Sequence, residues 1–307
     1  MVSDLREIAN GLSFPEGPVA LSDGTVLFVE IGAGRIGRVL PDGRKETVAT
    51  PKGAPNSIAF GPDGALYICN NGGGFSFGEI EGMFQPNGEG LDYSGGGIDR
   101  LDLETGTIRP LYRTVGGHPL LMPNDLVFDR DGGFYFTDHG FRHDRSLEYG
   151  GVYYARSDGS DIREIAFPLL TANGVALSPD ESTLYVSETE TGRIRGYEII
   201  EPGVVKLPPH HRPGDAVFAQ LEGFRRYDSM AVEENGNLCV ASLTPGGVTV
   251  ISPSGRLVEV VPVPDEFCTN ICFGGADMRT AFMTLSGTGR IVSTRWPRPG
   301  LKLNFSR

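Results

Sequence analysis

Six copies of one hairpin pattern constrain this 307-residue chain more than any other feature of it. They begin FPEGPVALSDGTVLFVE at Phe14, APNSIAFGPDGALYICN at Ala54 and LMPNDLVFDRDGGFYFTD at Leu121. TANGVALSPDESTLYVSE follows at Thr171, YDSMAVEENGNLCVAS at Tyr227 and CTNICFGGADMRTAFMT at Cys268. In each copy a polar residue opens an apolar strand. Seven positions later an Asp or Asn opens the turn to a second strand: Asp23, Asp63, Asp131, Asp180, Asn235 and Asp277. Asx residues favour such turns because their side chains bond the backbone two residues on. A third strand follows each hairpin, as in GRIGRVLPDG, GGIDRLDLETG and GVYYARSDG. A sheet of three or four strands cannot bury both faces alone, so neighbouring copies must stack, and six of them closing in a ring make a β-propeller. The reading is all-β: a six-bladed β-propeller, with residues 1–307 as one domain. The last copy is short of an outer strand, and LREIA, residues 5–9, reads as a strand without a partner. The N-terminal strand is therefore expected to close the ring.

Two insertions break the pattern, residues 71–97 and 139–150, both too irregular to read as blade strands. Loops of that length are commonly functional, and these are expected to form a lid over one end of the ring.

Composition narrows the partners. A formal charge of -12 and an isoelectric point near 4.9 exclude nucleic acid and anionic membrane surfaces, which need clustered Lys and Arg. A small molecule or a cation fits. Cys69, Cys239, Cys268 and Cys272 form no C-x-x-C pair and read as free thiols. With no apolar run of signal or membrane-span length, a cytoplasmic location is expected.

Set in register, the residue at the mouth of each first strand is Glu16, Asn56, Asn124, Asn173, Asp228 or Asn270. The first strand of a propeller blade lies nearest the axis, so six oxygen-bearing side chains converge at one end of the central channel. Buried carboxylates among amide oxygens are costly unless something positive sits between them. The ring holds hard oxygen donors with no Cys or His, so the expected cofactor is one divalent metal cation, Ca²⁺ first, with Mg²⁺, Mn²⁺ or Zn²⁺ as alternatives. Glu16 and Asp228 would balance its charge.

FPEGP, MPND, ANGVALSPDESTLYVSE, YDSMAV and TNICFGG, in that order, resemble the senescence marker protein, gluconolactonase and luciferin-regenerating-enzyme family across nearly the whole chain. The resemblance implies a six-bladed propeller with one catalytic divalent metal, held here by Glu16, Asn124, Asn173 and Asp228. It also implies a lactone substrate and a metal-bound Asp228 that activates water. The sequence departs from the pattern at two places. Sugar-lactonase members carry an Arg where this chain has Met122, and FTDHGFRHD replaces the FTDPPYG of many gluconolactonases. A less hydroxylated lactone is therefore expected to serve at least as well as gluconolactone.

Because the second strand of each hairpin returns to the face where the first began, Glu30, Asn70, Asp138, Glu188 and Ser242 are expected around the mouth. Asn56, His118, Met122 and Asp138 are the expected substrate contacts. Asp228 is the first candidate base and His139 the second, its ordinary pKa lying near neutrality. His210 and His211, in a Pro-rich connection, read as solvated. No G-x-S-x-G elbow is present, which argues against a serine hydrolase. Two alternatives share the fold: a phosphotriesterase on the same metal, and a non-catalytic propeller binding a protein or small ligand.

Overall fold

The computed structural model describes residues 4–208 and 215–307. His210 and His211 lie outside them. Among the described residues six antiparallel sheets follow one another along the chain, the blades of a β-propeller, accompanied by three two-stranded hairpins. The first strands, nearest the axis, are Pro15–Ala20, Pro55–Phe60, Pro123–Phe128, Ala172–Leu177, Arg226–Val232 and Cys268–Gly274. Five pass through the expected Asx turn into the second strand, such as Val26–Glu30, whereas in the third blade Asp129 and not Asp131 accepts the Gly133 N–H, at 2.9 Å, ahead of Gly133–Asp138. In the first blade Asp23 Oδ1 accepts the Thr25 N–H at 2.9 Å, and Asp63 does the same for Ala65 at 3.2 Å in the second.

The ring closes as the sequence predicts. Arg6–Ala9 pairs antiparallel with Arg290–Arg295 and becomes the outer strand of the sixth blade. Six apolar clusters fill the six gaps between blades. Tyr67, Phe128 and Phe134 sit between the second and third blades, for example, and Val250, Ile271 and Met283 between the fifth and sixth. Each gap buries branched and aromatic side chains from both neighbours, which is why no blade stands alone. No helix among the described residues is long and apolar enough to cross a membrane. Cys69, Cys239 and Cys268 are buried free thiols, and Cys272 is partly buried and free.

The insertions are more regular than their sequences suggest. Phe75–Ile80 pairs with Met83–Glu89 to make a hairpin outside the blades, and Phe141–Arg142 pairs with Leu147–Glu148 in a shorter one. The first arches from the second blade back over the sixth, where Phe84 N–H donates to Gly287 O at 3.0 Å.

One feature recurs in all six first strands. The ladder to the second strand slips register at or beside the ring residue: between Glu16 and Val19, Pro55 and Ser57, Pro123 and Leu126, Ala172 and Val175, Tyr227 and Met230, and Cys268 and Asn270. A bulge bends its strand and re-aims the extra side chain. Here it turns each ring residue out of the pleat and toward the axis.

Candidate metal centre

The ring forms, and its six members divide by what already occupies their oxygens. Asn56 is fully engaged, its Nδ2 donating to Asn124 O at 3.2 Å and its Oδ1 accepting from Asn71 Nδ2 at 3.0 Å. Asn270 serves Glu16, donating Nδ2–H to Glu16 Oε2 at 2.7 Å while its Oδ1 caps Ile271 N–H at 2.8 Å. Glu16 Oε2 also accepts the Gly17 N–H. Gly17 stands at φ +51°, where a Cβ would lie 2.9 Å from Ser57 Cα, which explains the glycine of FPEGP. Asn173 donates Nδ2–H to Thr189 Oγ1 at 3.1 Å, and Asp228 Oδ1 accepts the Ser229 N–H at 3.0 Å.

After those bonds three acceptors remain with nothing to accept: Glu16 Oε1, Asn124 Oδ1 and Asn173 Oδ1, all buried. They come from three different blades. A buried acceptor left unpaired costs about 1–3 kcal/mol, so three together with the Asp228 carboxylate describe a position prepared for a cation. The residues present fit a hard divalent ion. The electrostatics agree. Burial first, then the Asp228 and Asp125 charges, raise the Glu16 carboxyl well above its usual range, and burial lifts Asp228 to about 7. Asp125, pushed by burial to about 6, is a third channel carboxylate that the sequence presented only as a neighbour of Asn124. Its Oδ1 accepts Ser57 O–H at 2.8 Å and Leu126 N–H at 2.9 Å, tying the second blade to the third.

Backbone strain falls close by. Phe14 and Thr171, each two residues ahead of a ring residue, both take φ +53°. Non-glycine residues hold that region at a cost of roughly 1–3 kcal/mol, and such strain gathers at functional sites.

Several residues expected at the mouth are structural. Asp138 accepts N–H bonds from Leu121 at 2.7 Å, Met122 at 2.8 Å and Gly140 at 2.9 Å, so both its oxygens hold its own blade. Glu30, Asn70 and Glu188 make the equivalent bond to Ser13, Ala54 and Leu170 N–H at 2.9, 3.1 and 2.9 Å. Ser242 turns to Thr249. A residue ending a second strand lies beside the loop entering its own first strand, and the unpaired amides there capture it. Met122 is buried beneath Gly74 and does not reach the mouth as a contact. His118 is exposed on a two-residue strand, with no hydrogen bond to a ring residue.

His139 is half-buried directly after Asp138. Its ring lies 6.2 Å from Phe75, and burial, opposed by Glu190 and reinforced by Arg142, pushes its pKa down to about 4. It is neutral near pH 7 and a weak proton acceptor. The first insertion lays an aromatic row against the first blade: Phe84 stacked on Phe77 at 5.3 Å, Phe77 at 5.2 Å from Phe14, and Phe75 beside His139. That row had no periodic signature in the sequence.

The two insertions meet at His143, whose Nδ1 lies 3.1 Å from Glu89 Oε1 and whose Nε2 lies 3.0 Å from Glu148 Oε1. The Glu148 bond first, then Glu89, raises its pKa above 6.5. A raised folded pKa means that this clamp is complete below 6.5 and is lost as pH rises through the raised value. Amide exchange in residues 75–89, corrected for its intrinsic pH dependence, is expected to speed up across that window, and His143→Gln to remove the step. Identical corrected profiles in the two proteins would show that the clamp does not hold the insertions.

Propeller, channel-mouth ring and unpaired hard oxygens together define a class: six-bladed propellers built around a candidate divalent-metal centre. Within that class the chain belongs to the SMP-30/Gluconolactonase/LRE-like family, whose pattern matches residues 14–287. Lactonase drp35 of Staphylococcus saprophyticus is 32% identical over 243 residues, covering 78% of this chain and 67% of that protein. A gluconolactonase of Xanthomonas campestris superposes with a TM-score of 0.74 at 25% identity, covering 95% of this chain and 89% of that one. The calcium-binding protein regucalcin of Agrobacterium tumefaciens superposes with a TM-score of 0.71 at 17% identity, covering 97% and 96%.

Proposed function

We propose that the chain is a divalent-metal-dependent hydrolase that opens lactones. The observation that carries this is the trio of buried, unpaired oxygens on Glu16, Asn124 and Asn173 beside the Asp228 carboxylate. These four residues would hold the ion, with calcium favoured by an all-oxygen donor set. When bound, such an ion supplies a Lewis acid for an ester carbonyl. The relatives that are a lactonase and a gluconolactonase support the substrate class, and the calcium-binding relative supports the metal.

The chain's own residues do the rest. Asn270 and Gly17 fix Glu16, Thr189 fixes Asn173 and the Ser229 amide fixes Asp228, so the oxygens are set before substrate arrives. Asp228 takes a proton from the attacking water as the new C–O bond forms at the carbonyl carbon. It returns that proton to the ring oxygen as the lactone C–O bond breaks, leaving a hydroxy acid. His139, neutral near pH 7, is suited to donate or accept a hydrogen bond, but with a pKa of about 4 it is the poorer base. The row of Phe75, Phe77 and Phe84 gives the first insertion an apolar face, which favours an apolar or sparsely hydroxylated ring.

The test is a panel of aldono-, γ- and δ-lactones beside phosphotriesters, followed by acid release with chelator and with each divalent ion restored. Lactone opening that chelator abolishes and calcium restores is expected. Acid release indifferent to chelator would sink the mechanism, and turnover confined to phosphotriesters would move the activity to phosphoryl chemistry.

A further inference from the structure

The unpaired acceptors of the ring have a counterpart in unpaired donors. Among the described residues, every other buried side-chain atom without a hydrogen-bond partner lies in the run 225–229, around Asp228. Three of these atoms are guanidinium nitrogens: Arg225 Nε and Nη1, and Arg226 Nε. Arg226 is the one tied to the candidate centre. It stands two residues from Asp228, its charge bears on both Asp228 and His139, and its backbone is fixed opposite Thr244 in the strand ladder. Arg226 Nη2 donates to Glu190 Oε1 at 3.0 Å, and Arg142 Nη2 approaches the same oxygen at 3.7 Å from the second insertion. Glu190 is itself anchored by its N–H to Thr171 Oγ1 at 2.9 Å.

Two guanidinium groups thus share one carboxylate, leaving one positive charge over among the three, and both guanidinium charges bear on a neutral His139. A buried guanidinium N–H with no acceptor is costly, and an anion supplies that acceptor with charge assistance. The second insertion and the fourth and fifth blades therefore bring cationic side chains toward His139, which Phe75 of the first insertion also approaches.

We propose that Arg226, steadied with Arg142 by Glu190, is an anion-binding subsite for a carboxylate on the substrate, so that the preferred lactones carry a free carboxylate beside the ring. This rests on the lactone reading above for its substrate, though not for the subsite. A carboxylate paired with the exposed part of the Arg226 guanidinium would hold the ester ring on the side of the channel mouth that carries Asp228.

Two measurements separate the readings. The first compares the full-length protein on 5-oxotetrahydrofuran-2-carboxylate and on its carboxamide, which share one γ-lactone ring and differ in charge. The carboxylate should lead in kcat/KM by about tenfold or more, the worth of one charge-assisted bond, with the gain in KM. Arg226→Gln should collapse that ratio toward unity, and Arg226→Lys should recover part of it. Arg142→Gln, at a side chain 64% exposed, should lower the ratio less and serves if Arg226→Gln fails to fold. The second measures calorimetric binding of tetrahydrofuran-2-carboxylate, which has no ester to cleave, against its carboxamide. If neither lactone is opened yet the carboxylate binds more tightly through Arg226, the lactone reading falls and the subsite stands. Equal binding of carboxylate and carboxamide, or a ratio that Arg226→Gln leaves unchanged, overturns the subsite.

Discussion

Glu16→Gln and Asp228→Asn should each abolish stoichiometric metal binding and lower lactone turnover by roughly 10³, while making the metal-free protein more stable than metal-free wild type. The two effects come from one arrangement. Glu16, Asp228 and Asp125 are buried together in the channel, and their raised carboxyl pKa values record the cost, burial leading in each case. Without a cation only hydrogen bonds and the Arg226 charge offset part of that cost. An amide of nearly the same shape keeps the packing, removes a buried charge and removes a ligand, and relief of this kind is worth about 1–4 kcal/mol. Asp228→Asn also deletes the base, so its turnover should stay low even where excess metal refills the ring. Metal content after equilibrium dialysis, lactone turnover, and thermal midpoints with and without chelator read all three quantities. Metal retained at one ion per chain in both variants would disprove the site. Chelated variants no more stable than chelated wild type would show that the channel carboxylates are not in conflict.

The blades and the ring were legible in the sequence because both repeat. An Asp or Asn seven residues after a polar strand opener is a local signal, and six copies fix its meaning, down to the N-terminal strand that completes the sixth blade. The direction of a side chain is not local in the same way. Glu16 and Glu30 are both buried glutamates at strand ends of one blade, yet Glu16 keeps an oxygen unpaired at the axis while Glu30 binds Ser13 N–H and Arg35. The difference comes from the register slip beside Glu16, which depends on how the partner strand pairs and leaves no mark in the apolar pattern. The backbone bonds of Asp138 were hidden for the same reason, since two of its donors, Leu121 and Met122, come from a loop whose path the sequence does not show. The insertions hid their hairpins because neither alternates cleanly, and Arg226 gains its meaning only from Glu190 and Arg142 in two other blades.

Far from the ring, Glu233→Ala should be the most destabilising single change predicted here, costing about 3–5 kcal/mol. Glu233 is fully buried, and four groups meet on its carboxylate. Oε1 accepts Trp296 Nε1–H at 2.7 Å and the Cys239 thiol at 3.5 Å, and Oε2 accepts Asn237 Nδ2–H at 2.7 Å and Arg298 Nε–H at 2.5 Å. Trp296 and Arg298 follow the sixth blade's Arg290–Arg295 strand, so this cluster fastens the chain's last segment to the fifth blade. Alanine would leave a buried indole N–H, an amide and a guanidinium without their acceptor. Glutamine, keeping one oxygen but not the charge, should cost less. Burial alone would raise the Glu233 carboxyl, but Arg298, Trp296 and Asn237 together hold it below 4.5. A lowered folded pKa means stability that is present above 4.5 and lost as pH falls through the lower value, so the gap between wild type and Glu233→Ala should be full at pH 7 and narrow below pH 4.5. Trp296 is the chain's one tryptophan, so its fluorescence reports unfolding from within the cluster itself. Were Glu233→Ala to shift the denaturant midpoint by no more than a surface substitution does, about 0.5 kcal/mol, the cluster would be a bystander to ring closure. A gap that stayed constant from pH 7 to pH 3 would instead assign the loss to packing and not to the charge.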